Sequence, residues 1–375
     1  MKNIYVWAMA GMLLASCTGE KTSVLTGEIE GLESDTVLIF SRDMAKGKFL
    51  STDTVVVNNG TFTMSYPDSS IYNVQIVEKP MGNKALRMPR NMGIVLLPGD
   101  HVKVKGTIGD WKISGSELYD GLNSVAPVLA AESDYKASED EMLKFYSVPE
   151  QSKEAIDSLK QILKKKSLAV NAAKMDYITA NPGSIVSAYY TLALKAEDGI
   201  KACQLLSAAI RNGVMKEILD RSEQSYKDYI ARMEAKINIQ PGKPAPDFKL
   251  KNLDNEMMSL ASFKGKYMIL DFWGTWCGWC IKGMPRMKEY YAKYKNKVEF
   301  VGVNCRDTED KWRKGVAQHQ LPWVNLYNGN DTEIVIKYAV PGFPTKVLID
   351  PEGKIVEVFV GESDDMYNKL DQLFK

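Results

Sequence analysis

Ile269-Leu270-Asp271-Phe272-Trp273-Gly274-Thr275-Trp276-Cys277-Gly278-Trp279-Cys280 joins an apolar strand pattern, Met268 to Trp273, to a helical pattern from Trp279 to Tyr294. The two cysteines therefore fall where a buried strand gives way to the N-terminus of a helix. Free N–H groups and the helix dipole at such a terminus favour a thiolate and lower a cysteine pKa. Cys277, at the start, is expected to be the exposed nucleophile. Cys280, one turn further in, is expected to be more buried and to resolve a mixed disulfide. Trp276, Gly278 and Trp279 flank the two sulfurs and are expected to meet the substrate.

Downstream, the pattern predicts a strand over Val298 to Val303, a helix over Asp310 to His319, a short strand over Trp323 to Tyr327 and a short helix over Glu333 to Tyr338. A hairpin, Thr345 to Ile349 with Ile355 to Val360, turns across Asp350-Pro351-Glu352-Gly353, and a helix closes the chain over Asp364 to Phe374. Strands alternating with helices and ending in an antiparallel pair imply an α/β domain, residues 238–375, with both faces of a mixed sheet covered. Ile239-Gln240-Pro241-Gly242-Lys243-Pro244-Ala245-Pro246 is its linker, since its prolines and glycine continue neither helix nor sheet.

Upstream, residues 24–116 read as an all-β antiparallel domain, sandwich-like or barrel-like. Thr54 to Val57 and Thr61 to Met64 around Asn58-Asn59-Gly60 carry the pattern of a hairpin. Further strands are expected over Thr36 to Phe40, Tyr72 to Val77, Gly93 to Leu97 and His101 to Lys105. Residues 117–237 read as helical: Ile156, Leu159, Leu163 and Val170 recur on one face, with Lys160, Lys164 and Lys166 on the solvated side. Asn181-Pro182-Gly183-Ser184 breaks and recaps that region.

Residues 1–16 read as a lipoprotein signal peptide and 17–23 as a tether. Lys2 precedes a short apolar run, Ile4 to Ala15, and Leu14-Ala15-Ser16-Cys17 resembles a lipobox. That resemblance implies lipidation of Cys17, anchoring to a membrane, and a cell-envelope location facing the periplasm or the cell surface. At 375 residues the chain is long enough for several domains, and its net charge of +1 gives no electrostatic reason to expect a nucleic-acid partner. Of the five cysteines, Cys203 and Cys305 are isolated, so a disulfide framework is not expected. With no second cysteine pair and only His101 and His319 as histidines, neither is a metal site.

The residues from about Ile239 to Lys375 resemble the thioredoxin superfamily, and more narrowly its membrane-anchored TlpA/ResA-like members. The β-rich region resembles, loosely, a domain of unknown function that precedes redox domains in lipoproteins of the Bacteroidetes type. The resemblance implies that Asp271 is the buried aspartate that shuttles the proton of the second cysteine. It matches Pro285 to the proline that kinks the active-site helix. It also implies that Pro344, in Val340-Pro341-Gly342-Phe343-Pro344-Thr345, is cis and packs beside the disulfide, leaving the backbone at Phe343 to pair with an extended peptide. The sequence departs from that family twice. Trp279 stands where thioredoxin has proline, and Gly283 where ResA-like proteins carry a glutamate.

The function so implied is thiol-disulfide exchange with protein thiols and disulfides of the cell envelope, supported by an upstream redox partner. It needs no cofactor beyond the redox-active Cys277–Cys280 pair. Two alternatives compete. Pro246-Asp247-Phe248 and Leu260 to Tyr267 resemble the start of a peroxiredoxin domain, which would make the chain a thiol peroxidase, but the spacing Pro-x-x-x-Thr-x-x-Cys is absent before Cys277. The other is a lipid-anchored binding or scaffold lipoprotein with an accessory redox domain.

Overall fold

The computed structural model describes residues 22–79, 93–107, 110–147 and 152–374. The expected signal peptide and Cys17 lie outside these residues. The chain divides into two compact units, one up to Tyr226 and the other from Lys227.

Among the described residues, the first unit opens with eight strands: β1 (Thr22–Glu30), β2 (Thr36–Asp43), β3 (Lys48–Val56), β4 (Thr61–Pro67), β5 (Tyr72–Glu78), β6 (Ile94–Leu96), β7 (His101–Thr107) and β8 (Asp110–Ser114). They form two four-stranded sheets, in the orders β4-β1-β7-β8 and β3-β2-β5-β6. Alternate residues of both sheets, Leu25, Phe62, Met64, Val102 and Val104 with Val37, Ile39, Val74 and Ile76, bury themselves in one shared core.

Two expectations are corrected here. Asn58-Asn59-Gly60 does form a tight turn, with Asn59 and Gly60 at φ 51° and 80° and paired backbone bonds between Asn58 and Thr61. The strands it joins, however, belong to different sheets. β4 instead pairs with β1 in the register Leu25↔Met64. Val55 and Val57 before the turn and Phe62 and Met64 after it thus reach the same core from opposite sides. The domain is also not wholly antiparallel, because β1 and β7 run parallel, with Leu25 opposite Val102. Strands that are not consecutive in a hairpin are free of the antiparallel constraint, and the chain enters β7 from the other sheet.

The helices described after them are α1 (Glu117–Leu122), α2 (Ala126–Tyr146), α3 (Lys153–Ala180), α4 (Ile185–Thr191), α5 (Ala196–Leu205), α6 (Ala208–Arg211) and α7 (Lys216–Ala235). In α3, Ile156, Leu159, Leu163 and Val170 are half-buried while Lys160 and Lys164 face solvent. The third lysine of that face, Lys166, is half-buried and ion-paired to Asp134. Ser184 recaps the chain after Asn181-Pro182-Gly183 by accepting from the Val186 N–H.

The second unit holds β9 (Lys249–Lys251), β10 (Met257–Ser259), β11 (Tyr267–Trp273), α8 (Gly278–Tyr294), β12 (Val298–Cys305), α9 (Glu309–Gln318), β13 (Val324–Gly329), α10 (Glu333–Lys337), β14 (Thr345–Ile349), β15 (Ile355–Val360) and α11 (Asp365–Phe374). Its seven strands form one mixed sheet, β10-β9-β13-β12-β11-β14-β15. Central β11 is parallel to β12 and antiparallel to β14. The period of two sends Met268, Leu270 and Phe272 into the core on one face and Ile269 and Trp273 into the other. Each such buried apolar side chain contributes roughly 1.5–3 kcal/mol, so β11 is held from both sides and is a rigid base for the loop that follows it.

Candidate active site

The site is built where β11 ends. Gly274 turns the chain, and a side chain there would collide with the indole of Trp276, which folds back to donate from Nε1 to the Cys305 carbonyl at 3.0 Å. Asp307 fixes the next residue, accepting from the Thr275 N–H at 2.8 Å and from its hydroxyl at 2.7 Å, while Asn304 Nδ2 donates to the same carboxylate at 2.8 Å. Cys277 then caps α8, its sulfur accepting from the Cys280 N–H at 3.1 Å. Cys277 and Cys280 are joined as a disulfide, with their Cα atoms 5.3 Å apart.

The expected difference in exposure between the two cysteines is absent, for each is 5 % exposed. The bonded sulfurs cover one another, and both belong to the core cluster that holds Trp273 and Met284. What separates the cysteines is their place on the helix: Cys277 is the cap and Cys280 lies inside the first turn. A rim of exposed side chains surrounds them. Trp276 is 46 % exposed and Trp279 63 %, with Gly278 exposed between the cysteines. The ring of Trp276 meets Phe343 edge-on at 5.1 Å. The Phe343–Pro344 bond is cis, with Phe343 half-buried and packed against the cluster that contains both cysteines and Pro344 buried. Pro285 lies within α8.

Asp271 shares a strand face with Ile269 and Trp273, the face that packs on the two cysteines. It is 7 % exposed, and its Oδ1 has no hydrogen-bond partner. Burial pushes its carboxyl above the ordinary range; Lys346 pulls the other way and Glu362 adds to the rise.

Three residues of the site were missed in the sequence. Lys346 lies directly across from Asp271 in the β11–β14 register and is 4 % exposed. Its Nζ stands 3.8 Å from Asp271 Oδ1 and 2.7 Å from Glu362 Oε2. A lysine inside the apolar run Thr345 to Ile349 was a visible signal. Glu362 comes from the segment between β15 and α11 and carried no signal. Its carboxylate occupies the space a side chain at Gly283 would need. Where ResA-like proteins place a glutamate on the helix, this chain thus has a glutamate arriving from elsewhere. Arg306 is the third, with φ 62° and its guanidinium over the rings of both Trp276 and Phe343.

Cys305 is a buried free thiol, and Cys203 is buried as well. Burial pushes the Cys305 thiol up to about 12, which leaves it protonated and unreactive at neutral pH. Among the described residues no three His, Cys, Asp or Glu side chains are grouped to hold a metal ion.

Residues 241–358 match the model of the AhpC/TSA family, and residues 23–122 that of a domain of unknown function, DUF4369. The thiol-disulfide oxidoreductase ResA of Bacillus cereus (strain ZK / E33L) is 40 % identical over 139 residues, covering 36 % of this chain and 78 % of the relative. ResA of Bacillus subtilis (strain 168) is 33 % identical over 160 residues, covering 40 % of this chain and 84 % of the relative. Among solved structures, the thioredoxin domain of a thiol-disulfide oxidoreductase from Bacteroides vulgatus is 32 % identical, with a TM-score of 0.34, covering 36 % of this chain and 99 % of that one. A thiol-disulfide oxidoreductase from Bacteroides fragilis NCTC 9343 is 26 % identical, with a TM-score of 0.34, covering 35 % of this chain and all 100 % of that one. An identity of 40 % across most of a ResA makes this protein a thiol-disulfide oxidoreductase of the ResA family, with a thioredoxin-like domain behind a DUF4369 domain.

Proposed function

We propose that Cys277 and Cys280 are the pair that exchanges disulfides with protein thiols outside the cytoplasm, with Cys277 as the nucleophile and Cys17 as the lipid-bearing residue of the mature protein. One observation carries the exchange reading: a disulfide whose first sulfur caps a helix N-terminus, ringed by the exposed Trp276 and Trp279. After reduction, the α8 N-terminus favours the Cys277 thiolate. That thiolate attacks a substrate disulfide, and Cys280 resolves the mixed disulfide. Phe343, Trp276 and Trp279 supply the apolar rim on which an extended peptide would lie. An upstream redox partner resets the pair, which is the only redox group the reaction requires.

Thiol trapping tests the assignment. Cys280→Ser should accumulate mixed disulfides with envelope proteins, whereas Cys277→Ser should accumulate few; equal trapping by both removes the assignment. Labelling with a fatty-acid analogue tests the anchor, and a wild-type protein that stays unlabelled and soluble refutes it. A thiol peroxidase is the second reading, favoured by the peroxiredoxin-like segments at Pro246 to Phe248 and Leu260 to Tyr267 and by the AhpC/TSA match. Peroxide consumption faster than insulin disulfide reduction would favour it over the first.

A further inference from the structure

Lys346 and Asp271 face each other across two strands, yet they are not a close pair. The ammonium sits 2.7 Å from Glu362 and 3.8 Å from Asp271, which is beyond hydrogen-bond reach. Glu362 is held in place from three sides. Lys346 donates to its Oε2, the Tyr367 hydroxyl donates to its Oε1 at 3.2 Å, and the bare backbone of Gly283 leaves room for the carboxylate. Gly283 is one helical turn beyond Cys280, so the carboxylate lies against the same helix that carries the resolving cysteine. The Lys346 and Glu362 side chains are 5 % and 16 % exposed, so water screens neither charge well.

We propose that Lys346 and Glu362 are positioning residues of the exchange reaction: Glu362 draws the Lys346 ammonium away from Asp271, leaving the Asp271 carboxylate free to take up and return the proton of Cys280. This rests on the reading of Cys277 and Cys280 as the exchanging pair. In the mixed disulfide, the Cys280 S–H bond breaks and its proton passes to Asp271. The Cys280 thiolate forms a bond to Cys277 Sγ as the Cys277–substrate bond breaks. The electron pair leaves on the substrate sulfur, which takes a proton from solvent. The substrate disulfide is thereby reduced and the protein pair oxidised.

A carboxylate held in a close salt bridge would be a poor proton acceptor, while one buried beside an uncompensated glutamate would stay protonated. The charged and titratable groups around Asp271 are Lys346 on β14, Glu362 after β15, Tyr367 on α11 and the Cys305 thiol on β12. Burial raises the Tyr367 phenol and the Cys305 thiol far above neutrality, so neither carries a charge across the assay range.

The test is the pH profile of insulin disulfide reduction, driven by dithiothreitol, for the full chain and its variants. Glu362→Gln returns Lys346 to Asp271 and should move the acid limb to lower pH; Lys346→Met leaves Asp271 beside Glu362 and should move it to higher pH. At the pH where the wild type runs at a tenth of its plateau, the two should differ from it by roughly threefold in opposite directions, each relative to its own plateau. Gly283→Ala displaces the carboxylate without removing it and should follow Glu362→Gln, which keeps the test open if one substitution fails to fold. In an Asp271→Asn background the same changes should move nothing. Profiles that stay put, that move in one common direction, or that still move without Asp271 overturn the proposal. If Cys277→Ser keeps its insulin reductase activity, the functional reading itself fails, which is a different result from a cysteine-dependent enzyme with unmoved profiles.

Discussion

At the scale of single residues, Asp271 costs the fold stability at neutral pH. Its neighbours are one cation, Lys346, and one carboxylate, Glu362, so ionised Asp271 adds a net negative charge in a place that water barely reaches. Its folded pKa lies above the ordinary value of 3.8, so the folded state binds the proton better than the unfolded chain does. The favourable contribution is complete below 3.8 and is lost as pH rises through the folded value. Asp271→Asn should therefore stabilise the protein at pH 7 by about 1–3 kcal/mol, the usual scale for relieving an unsatisfied buried polar group. The gain should shrink on acidification, and urea titrations at pH 7 and pH 4 read it directly. Cys305 makes the opposite kind of prediction. With its thiol pushed up to about 12 by burial, iodoacetamide at pH 8 should alkylate the reduced protein at Cys277 well ahead of Cys305, as mass spectrometry of the peptides would show.

At the scale of elements, the turn at Asn59-Gly60 decides how the β-domain closes. It passes the chain from one sheet to the other, and the Gly60 carbonyl accepts from the Ile29 N–H at 2.7 Å, which starts the pairing of β4 with β1. Gly60 has φ 80°, and a Cβ there would stand 2.9 Å from the Ile29 carbonyl oxygen. Gly60→Ala should lose about 1–2 kcal/mol from the left-handed backbone alone. The contact with Ile29 adds to that loss. A lower urea midpoint with an unchanged slope would show a strained turn within an intact fold. Helix α8 carries a related constraint. Alanine in place of a glycine inside a helix ordinarily gains about 1 kcal/mol, but at Gly283 the added methyl meets the Glu362 carboxylate. Gly283→Ala should be destabilising in the wild type and stabilising once Glu362→Ala has cleared the space, a sign reversal that a double-mutant cycle measures.

At the scale of the whole molecule, each unit builds its core from its own described residues. Both apolar clusters of the redox unit are made of residues from Ile239 onward, and the β-rich and helical clusters draw on residues up to Leu219. A fragment of residues 239–375 should fold and keep insulin reductase activity within about threefold of the full chain, since each unit has its own core. Calorimetry of the full chain should show two transitions, one of them matching the fragment. A fragment that is unfolded or inactive would mean that the first unit contributes to the redox fold itself.

The sequence alone determined everything that depends on local pattern. The period of two in Met268 to Trp273, the helix start after Trp276, the paired cysteines and the hairpin before Val360 are short-range signals, and the elements appear within a few residues of where those signals put them. The Asn-Gly turn was legible as a turn for the same reason, because positive φ is a property of two adjacent residues. Pairing between elements was not legible. That β3 and β4 separate, that β1 and β7 run parallel, and that Glu362 fills the space beside Gly283 are outcomes of packing between residues far apart in the chain. Lys346 stands between the two cases. A lysine within an apolar strand marks itself as unusual, but only the antiparallel register placed it opposite Asp271, and only the fold brought Glu362 close enough to take its charge.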